Sequence, residues 1–383
     1  MLASRAAWQL DASNTEAFLR GLAIMGTGGG GSAAFGRAII RNDIALGRNY
    51  SLAHLEQVPD HALVISGGIM GSVKVLDRFS PEEIVAQWEK RFESVVALRA
   101  MEDHLGRRVD YLVPFELGGL NTPVILSLGA RLGIPVIDGD GVGRAAPETQ
   151  MTSFLGHGVS LVPMPLADWK GNVIIVKEAS SSFVPDEIGR FVITQAGGLG
   201  ANTHYPMAGR VAREVVIPET ISFAFDLGQQ VASLSDPEAV CKIVADRVGG
   251  RIAFHGTVDS IREEEAMGFL VQTVSFMGRD TFSGDSLEIV MKNEFMMAAK
   301  NGRVGCVFPD LILMVDEDGK GIMSSELETG QLVWTILAPC HPRLRAAVNT
   351  SEGKNALGPA RFGRPNVSYQ PVEVLSRDWG LTW

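Results

Sequence analysis

Three apolar stretches of this chain end in residues that can do acid–base or metal chemistry. HALVISGG runs out at Gly67 and Gly68. VDYLVPFELGG runs out at Glu116, with Asn121 close behind. IPVIDGDGVGR runs out at Asp138 and Asp140, with Arg144 and Glu148 following. In an open sheet of parallel strands the carboxyl ends share one edge, and ligands bind beyond it. As parallel neighbours, these stretches would bring Glu116, Asp138 and Asp140 together. Convergent carboxylates either hold a cation or divide into an acid and a base with separated pKa values. The competing reading of the D-G-D-G run is a turn or a helix cap. Arg144 suits a substrate carboxylate as well as it suits neutralising the acids.

A second feature is MGTGGGGS at residues 25–32, which satisfies G-x-G-x-x-G through Gly26, Gly28 and Gly31. A dinucleotide fingerprint needs a strand before its glycines and an acidic residue about twenty positions on. Here Phe18, Leu22 and Met25 precede the glycines at helical spacing, and no acid is well placed near residues 44–52. A P-loop would need a lysine before Ser32. No nucleotide is expected. Two readings stay open. The glycines are either a turn that lets two helices meet closely, or a wall of a site. In the second reading the N–H groups of Gly28, Gly29 and Gly30, or those of Gly67 and Gly68, receive a carboxylate or a developing oxyanion.

His157 in FLGHGVS and His204 in GANTHYPMAG are the histidines with glycine-rich surroundings. With Asp138 and Asp140 they make a candidate set for a divalent metal such as zinc; a structural histidine is the alternative for each. No H-E-x-x-H spacing and no G-x-S-x-G elbow occurs, and Cys241, Cys306 and Cys340 stand in no nucleophile setting. In the second half, Lys292, Asn293 and Glu294 close a strand pattern and are its candidates for touching substrate. Ordinary surface charge is the other reading.

These side chains need elements to position them. Residues 62–144 alternate strand, helix, strand, helix, strand, which implies a mostly parallel sheet with helices packed on it. SPEEIVAQWEKRFESVVALRAMEDHLG reads as one long helix, capped by Ser80 with Pro81 in its first turn. The pattern changes near residues 163–169. DWKGNVIIVKEA reads as a hairpin around Gly171 and Asn172, and helices are expected near 186–195, 219–234 and 236–248. Then come the strand patterns RIAFHGTVDSI, MGFLVQTVSFMG, SLEIVMKN, CVFPDLILMVDE and QLVWTILAP. The expected architecture is an α/β N-terminal domain over residues 1–168, followed by an α+β, β-rich C-terminal domain over 169–383.

Bulk properties agree with two such cores, since 46% of the 383 residues are hydrophobic and 20% charged. A net charge of −10 without a basic patch argues against nucleic acid. No apolar run approaches a membrane span. Three scattered cysteines and an early Asp11 point to a reduced, cytoplasmic protein without a signal peptide. The expected partners are a small-molecule substrate and further copies of the chain, with neither nucleic acid nor membrane.

GTGGGG, ELGGLN at 116–121, GIPVIDGDGVGRAAPETQM at 133–151, KNEFMMA at 292–298 and FPDLILMVDEDG at 308–319 occur in that order. In these segments the chain resembles the S-methyl thiohydantoin desulfurase-like family, and R-A-x-P-E-x-Q-M is the most specific part. The resemblance implies an α/β domain followed by a β-rich one. It also implies kinship with proteins that occur beside, or fused to, hydantoinase/oxoprolinase-type partners, some of which open or desulfurise hydantoin-like rings. Two departures are visible. Gly71 is followed by Ser-Val-Lys-Val-Leu, without the family's Glu, and the usual A-D-G appears as Gly139-Asp140-Gly141. The leading expectation is a hydrolase, or related lyase, acting on a small cyclic amide, hydantoin or thiohydantoin through carboxylate- or metal-activated water. Glu116, Asp138 and Asp140 would be its working acids, with Asn121, Arg144 and Glu148 orienting substrate. The alternative is a non-catalytic binding or accessory subunit of a hydantoinase-type partner.

Overall fold

Phe18, Leu19, Leu22 and Met25 make one buried face of helix α1 (Thr15–Met25), which stops where Gly26 begins. Helix α2 (Ala33–Ala45) starts at Ser32, whose Oγ accepts a hydrogen bond from Ala34 N. The glycine run therefore lies between two helices. The computed structural model describes residues 9–71, 78–266 and 268–383. The departure that follows Gly71 and the first eight residues lie outside them.

The first sheet has seven strands. In spatial order they are β1 (Leu52–Ala53), β4 (Val136–Ile137), β3 (Tyr111–Pro114), β2 (Leu63–Gly71), β8 (Leu199–Ala208), β6 (Met164–Asp168) and β7 (Val173–Val176). The pairs from β1 to β2 are parallel, so β2, β3 and β4 end at one edge as their spacing predicts. Beyond β2, the strands β8, β6 and β7 pair antiparallel. Since β7 and β8 follow residue 168, the chain does not leave this sheet there. Residues 139–140 form the short β5, paired with Ile217–Pro218, β9.

The helix expected over residues 80–106 is two helices, α3 (Pro81–Lys90) and α4 (Glu93–Leu105). Ser80 and Glu83 close a capping box at the start of α3. The break falls at Arg91 and Phe92, both with extended backbone. Arg91 reaches out to Glu93 and to the carbonyl of Asp168, and Phe92 packs on Trp88 with ring centroids 5.2 Å apart. These contacts reward leaving the helix for one step. Helix α5 (Asn121–Leu132) ends at Gly133, which is left-handed at φ +69.

After α6 (Ser153–Gly156), α7 (Val184–Gln195), α8 (Gly209–Val215), α9 (Thr220–Val231) and α10 (Pro237–Val248) comes the second sheet. It is antiparallel throughout. Its order is β14 (Arg303–Val307), β13 (Glu294–Lys300), β12 (Ser286–Lys292), β11 (Phe269–Gly278), β10 (Arg251–Ala266), β16 (Leu332–Ala338) and β15 (Leu311–Asp316). CVFPDLILMVDE, read as one strand, is split between β14 and β15. Pro309 has no N–H for a ladder. Next to it, the carboxylate of Asp310 is taken up by Cys340 N, Val372 N and Arg345.

The two halves share one apolar core. A single buried cluster runs from Leu10 to Phe362 and includes Leu112 and Val136 of the first sheet with Val290, Leu313 and Ile336 of the second. Helices α1 and α9 meet through facing glycines: a Cβ at Gly21 would lie 1.8 Å from the carbonyl oxygen of Ala224. Among the described residues, no helix is long and apolar enough to cross a membrane.

Candidate active site

A cavity of about 80 Å³ opens where the first sheet's carboxyl edge faces the turn between β12 and β13. Two buried carboxyl groups line it, one from each sheet: Glu116 and Glu294.

Glu116 follows β3, where the chain leaves the sheet for Gly118 and Gly119. Its Oε1 accepts from Asn121 Nδ2 and its Oε2 from Ala146 N, each at 2.5 Å. Burial pushes its carboxyl up to about 8 against these bonds, and the charge of Asp140 adds to the rise. Glu294 opens β13 directly after Asn293, which is held in a left-handed conformation at φ +57. Asn293 N donates to the Leu270 carbonyl, and Leu270 N donates to Asn293 Oδ1, so the turn that presents Glu294 is pinned. Burial drives the Glu294 carboxyl well above the usual range, with the Glu116 charge adding to it. Its Oε2 has no partner among the described residues.

The glycine loop packs on Glu294 and Phe295 on one side and on the Leu117–Gly118 backbone on the other. Gly28 N donates to the Ile322 carbonyl, and Gly28 O accepts from Ser324 N. A Cβ at Gly29 would lie 2.0 Å from Glu294 Oε1. Gly30, at φ +70, packs its backbone on Gly118, and its carbonyl accepts from Leu120 N and Asn121 N. Gly30 and Gly31 both line the cavity, and their N–H groups meet no acceptor among the described residues. The loop is thus a wall of the cavity as well as a turn between helices.

The antiparallel strand β8 adds His204, which lies opposite Ser66 of β2, and Asn202, opposite Gly68. Burial pulls the His204 imidazole down to about 3, so the ring is neutral. It packs edge-on against Phe115 and Tyr205 at 5.8 and 5.0 Å, and its Nδ1 has no partner among the described residues. Arg190 of α7 also lines the cavity. It bonds Asp186 Oδ2 at 2.8 Å and lies 3.7 Å above the Phe269 ring. Sequence reading did not single out Asn202 or Arg190. The only local signal for Arg190 is Asp186 four residues earlier on a helix.

Several expected site residues lie elsewhere. Asp138 Oδ1 accepts from Ile221 N and Ser222 N and so caps α9. Asp138→Ala is expected to cost about 0.5–2 kcal/mol of stability in denaturant unfolding, with the cavity acids unaffected. Asp140 Oδ1 accepts from Val142 N and Gly143 N and closes a turn; burial raises its carboxyl to about 6. Arg144 is buried and donates only to backbone carbonyls. Glu148 pairs with Lys292 at 2.6 Å and with Arg361, joining the two halves outside the cavity. Gly67 lies within β2, where a Cβ would meet the Asn202 carbonyl oxygen at 2.7 Å, and Gly28 bridges to Met323. His157 is exposed, with Nε2 3.0 Å from the Arg343 carbonyl.

Asp138, Asp140, His157 and His204 therefore do not converge on an ion. Among the described residues no group of three or more His, Cys, Asp or Glu side chains could hold a metal. The residues present do not fit the divalent metal expected from sequence, and no step below passes through one.

Comparison with known proteins agrees across the chain. A model for the S-Me-THD-like N-terminal domain matches residues 13–178, and one for the S-Me-THD-like C-terminal domain matches residues 180–372. A crystal structure of a protein from Chromobacterium violaceum aligns with a TM-score of 0.74 at 22% identity, covering 96% of this chain and 100% of that one. That likeness is one of fold. No curated protein matches the chain.

Proposed function

This chain belongs to the S-Me-THD-like family in both of its domains, and on that premise we propose that the cavity is the active site of a hydrolase, or closely related lyase, acting on a small cyclic amide, hydantoin or thiohydantoin. One observation carries this reading. Glu116 and Glu294 come from different sheets, lie buried at one cavity, and neither is bonded to a cation among the described residues. Paired carboxyls whose environments separate their proton affinities are the usual source of an acid and a base in one site.

Glu116 is the base and Glu294 the acid. Burial raises both carboxyls, that of Glu116 to about 8. But Glu116 accepts two N–H bonds that favour its ionised form, while Glu294 Oε2 meets no donor among the described residues, so Glu116 is the one that ionises first. Between those two ionisations Glu116 takes a proton from water, and the water oxygen adds to the ring carbon bearing oxygen or sulfur. The N–H groups of Gly30 and Gly31 receive the developing negative charge. Glu294 then gives its proton to the departing nitrogen or sulfur, and the base and acid exchange roles. Asn121 holds the Glu116 carboxylate in place. The size of the cavity supports a small ring, since pockets for drug-sized ligands run to ~300–1,000 Å³.

The profile of kcat/KM against pH is expected to be bell-shaped, with its acid limb near 8 where Glu116 ionises. A flat profile from about pH 6 to 9 would count against the pair. The broader test assays the purified chain alone with hydantoins, thiohydantoins and S-methyl thiohydantoins. Turnover by the chain alone supports the enzyme. Turnover that begins only when a hydantoinase-type protein is added makes the chain an accessory subunit instead.

A further inference from the structure

Arg144 is a buried cation that bonds no carboxylate among the described residues. Its Nε donates to the Ala145 carbonyl at 3.1 Å, Nη1 to the Asp310 carbonyl at 2.6 Å and Nη2 to the Phe295 carbonyl at 2.6 Å. Its face lies 5.0 Å from the Phe308 ring centroid. All three acceptors are neutral. The Asp310 carboxylate nearby is already bonded to Arg345. A charge taken out of water persists where an opposite charge or a full set of polar partners compensates it.

The connections of Arg144 run to both acids. Its carbonyl accepts from Leu117 N, next to Glu116, and Ala146 N two residues on bonds Glu116 Oε2. Phe295, whose carbonyl it holds, directly follows Glu294. We propose that Arg144 is the positioning residue of this site: it ties the loop that holds Glu116 to the strand that carries Glu294, and it supplies the buried positive charge against which the pair keeps one negative charge.

The other charged groups around the pair are otherwise engaged. Arg190 faces Glu294 from α7 and is paired with Asp186. Asp140 faces Glu116 from β5, opposes its ionisation, and is held by the N–H groups of Val142 and Gly143. Cys306 and Cys340 face Arg144, and burial keeps both thiols protonated. Among the described residues Arg144 is therefore the cation left to balance the pair.

This role rests on the reading of Glu116 and Glu294 as the reacting pair. Its test needs no substrate, so its failure is separable from an absence of turnover. The carboxyl signals of labelled glutamate are titrated in the full chain, with Glu116→Gln and Glu294→Gln providing the assignment. The native pair is expected to lose its protons in two steps. Arg144→Gln is expected to move the lower step up by roughly 1–3 pH units, which a residue that only fills space would not do. A lower step left in place overturns the proposal. If Arg144→Gln does not fold, Arg144→Lys decides. Lysine keeps the charge, so the lower step is expected to stay near its native position; a rise of roughly 1–3 pH units there overturns the charge role.

Discussion

Glu116→Gln is expected to lower kcat by about 10²–10⁴-fold, the range for loss of a general base, while leaving the protein folded. The shape is conserved and so is most of the bonding. One oxygen still accepts from Ala146 N. The new amide nitrogen would face Asn121 Nδ2, a clash of donors, but Asn121 Oδ1 has no partner among the described residues. A turn of the Asn121 amide converts the clash into a hydrogen bond.

The pH dependence of stability gives a second readout. The Glu116 carboxyl is raised in the folded chain from an ordinary 4.5 to about 8. Its contribution to stability is complete below about 4.5 and is lost as the pH rises to about 8, because the unfolded chain ionises first. The variant removes that loss, so its thermal stability is expected to fall less than the native chain's across this window. Turnover within tenfold of native, in a folded variant, would show that Glu116 is not the base.

The place of Glu116 at the cavity was legible because its cause is local. Glu116 stands at the end of an apolar strand with glycines after it, and parallel pairing of β2, β3 and β4 puts that end where the rule for open sheets expects a ligand. The same rule pointed to Asp138 and Asp140, and there local chemistry won. Short acids beside glycines meet free N–H groups first, and those of Ile221, Ser222, Val142 and Gly143 take both carboxylates. Glu294 was visible as a candidate only for substrate contact. Its partnership with Glu116 depends on how one sheet docks against the other, which no spacing within either segment encodes. His204 was seen and Asn202 was not, because β8 reads as a glycine-rich loop and becomes a strand only through pairing with β2 and β6. The split of the helix at Arg91 is of the same kind, since its cause is the distant carbonyl of Asp168.

Gly29→Ala is expected to cut turnover by about 10²-fold, as a displacement of about 1 Å at a reacting group does, with little loss of stability. Gly29 and Gly30 are neighbours, but their surroundings differ in kind. Gly30 is left-handed at φ +70, and a Cβ there would lie 2.6 Å from the Gly118 backbone. Neither that conformation nor that backbone yields cheaply, so Gly30→Ala is expected to lose roughly 1–3 kcal/mol or more in denaturant unfolding. Gly29 carries no left-handed strain. The atoms nearest its added methyl would all belong to the Glu294 side chain, with Oε1 at 2.0 Å and Cδ at 2.5 Å. A flexible side chain can give way where a backbone cannot. The carboxyl would swing out of its place opposite Glu116, and the fold would absorb the methyl. The two alanines thus separate the loop's two duties. If Gly29→Ala keeps native turnover while Gly30→Ala is destabilised, the glycines only let backbones meet. If Gly29→Ala is stable and slow, the run of glycines is there to leave room for the acid.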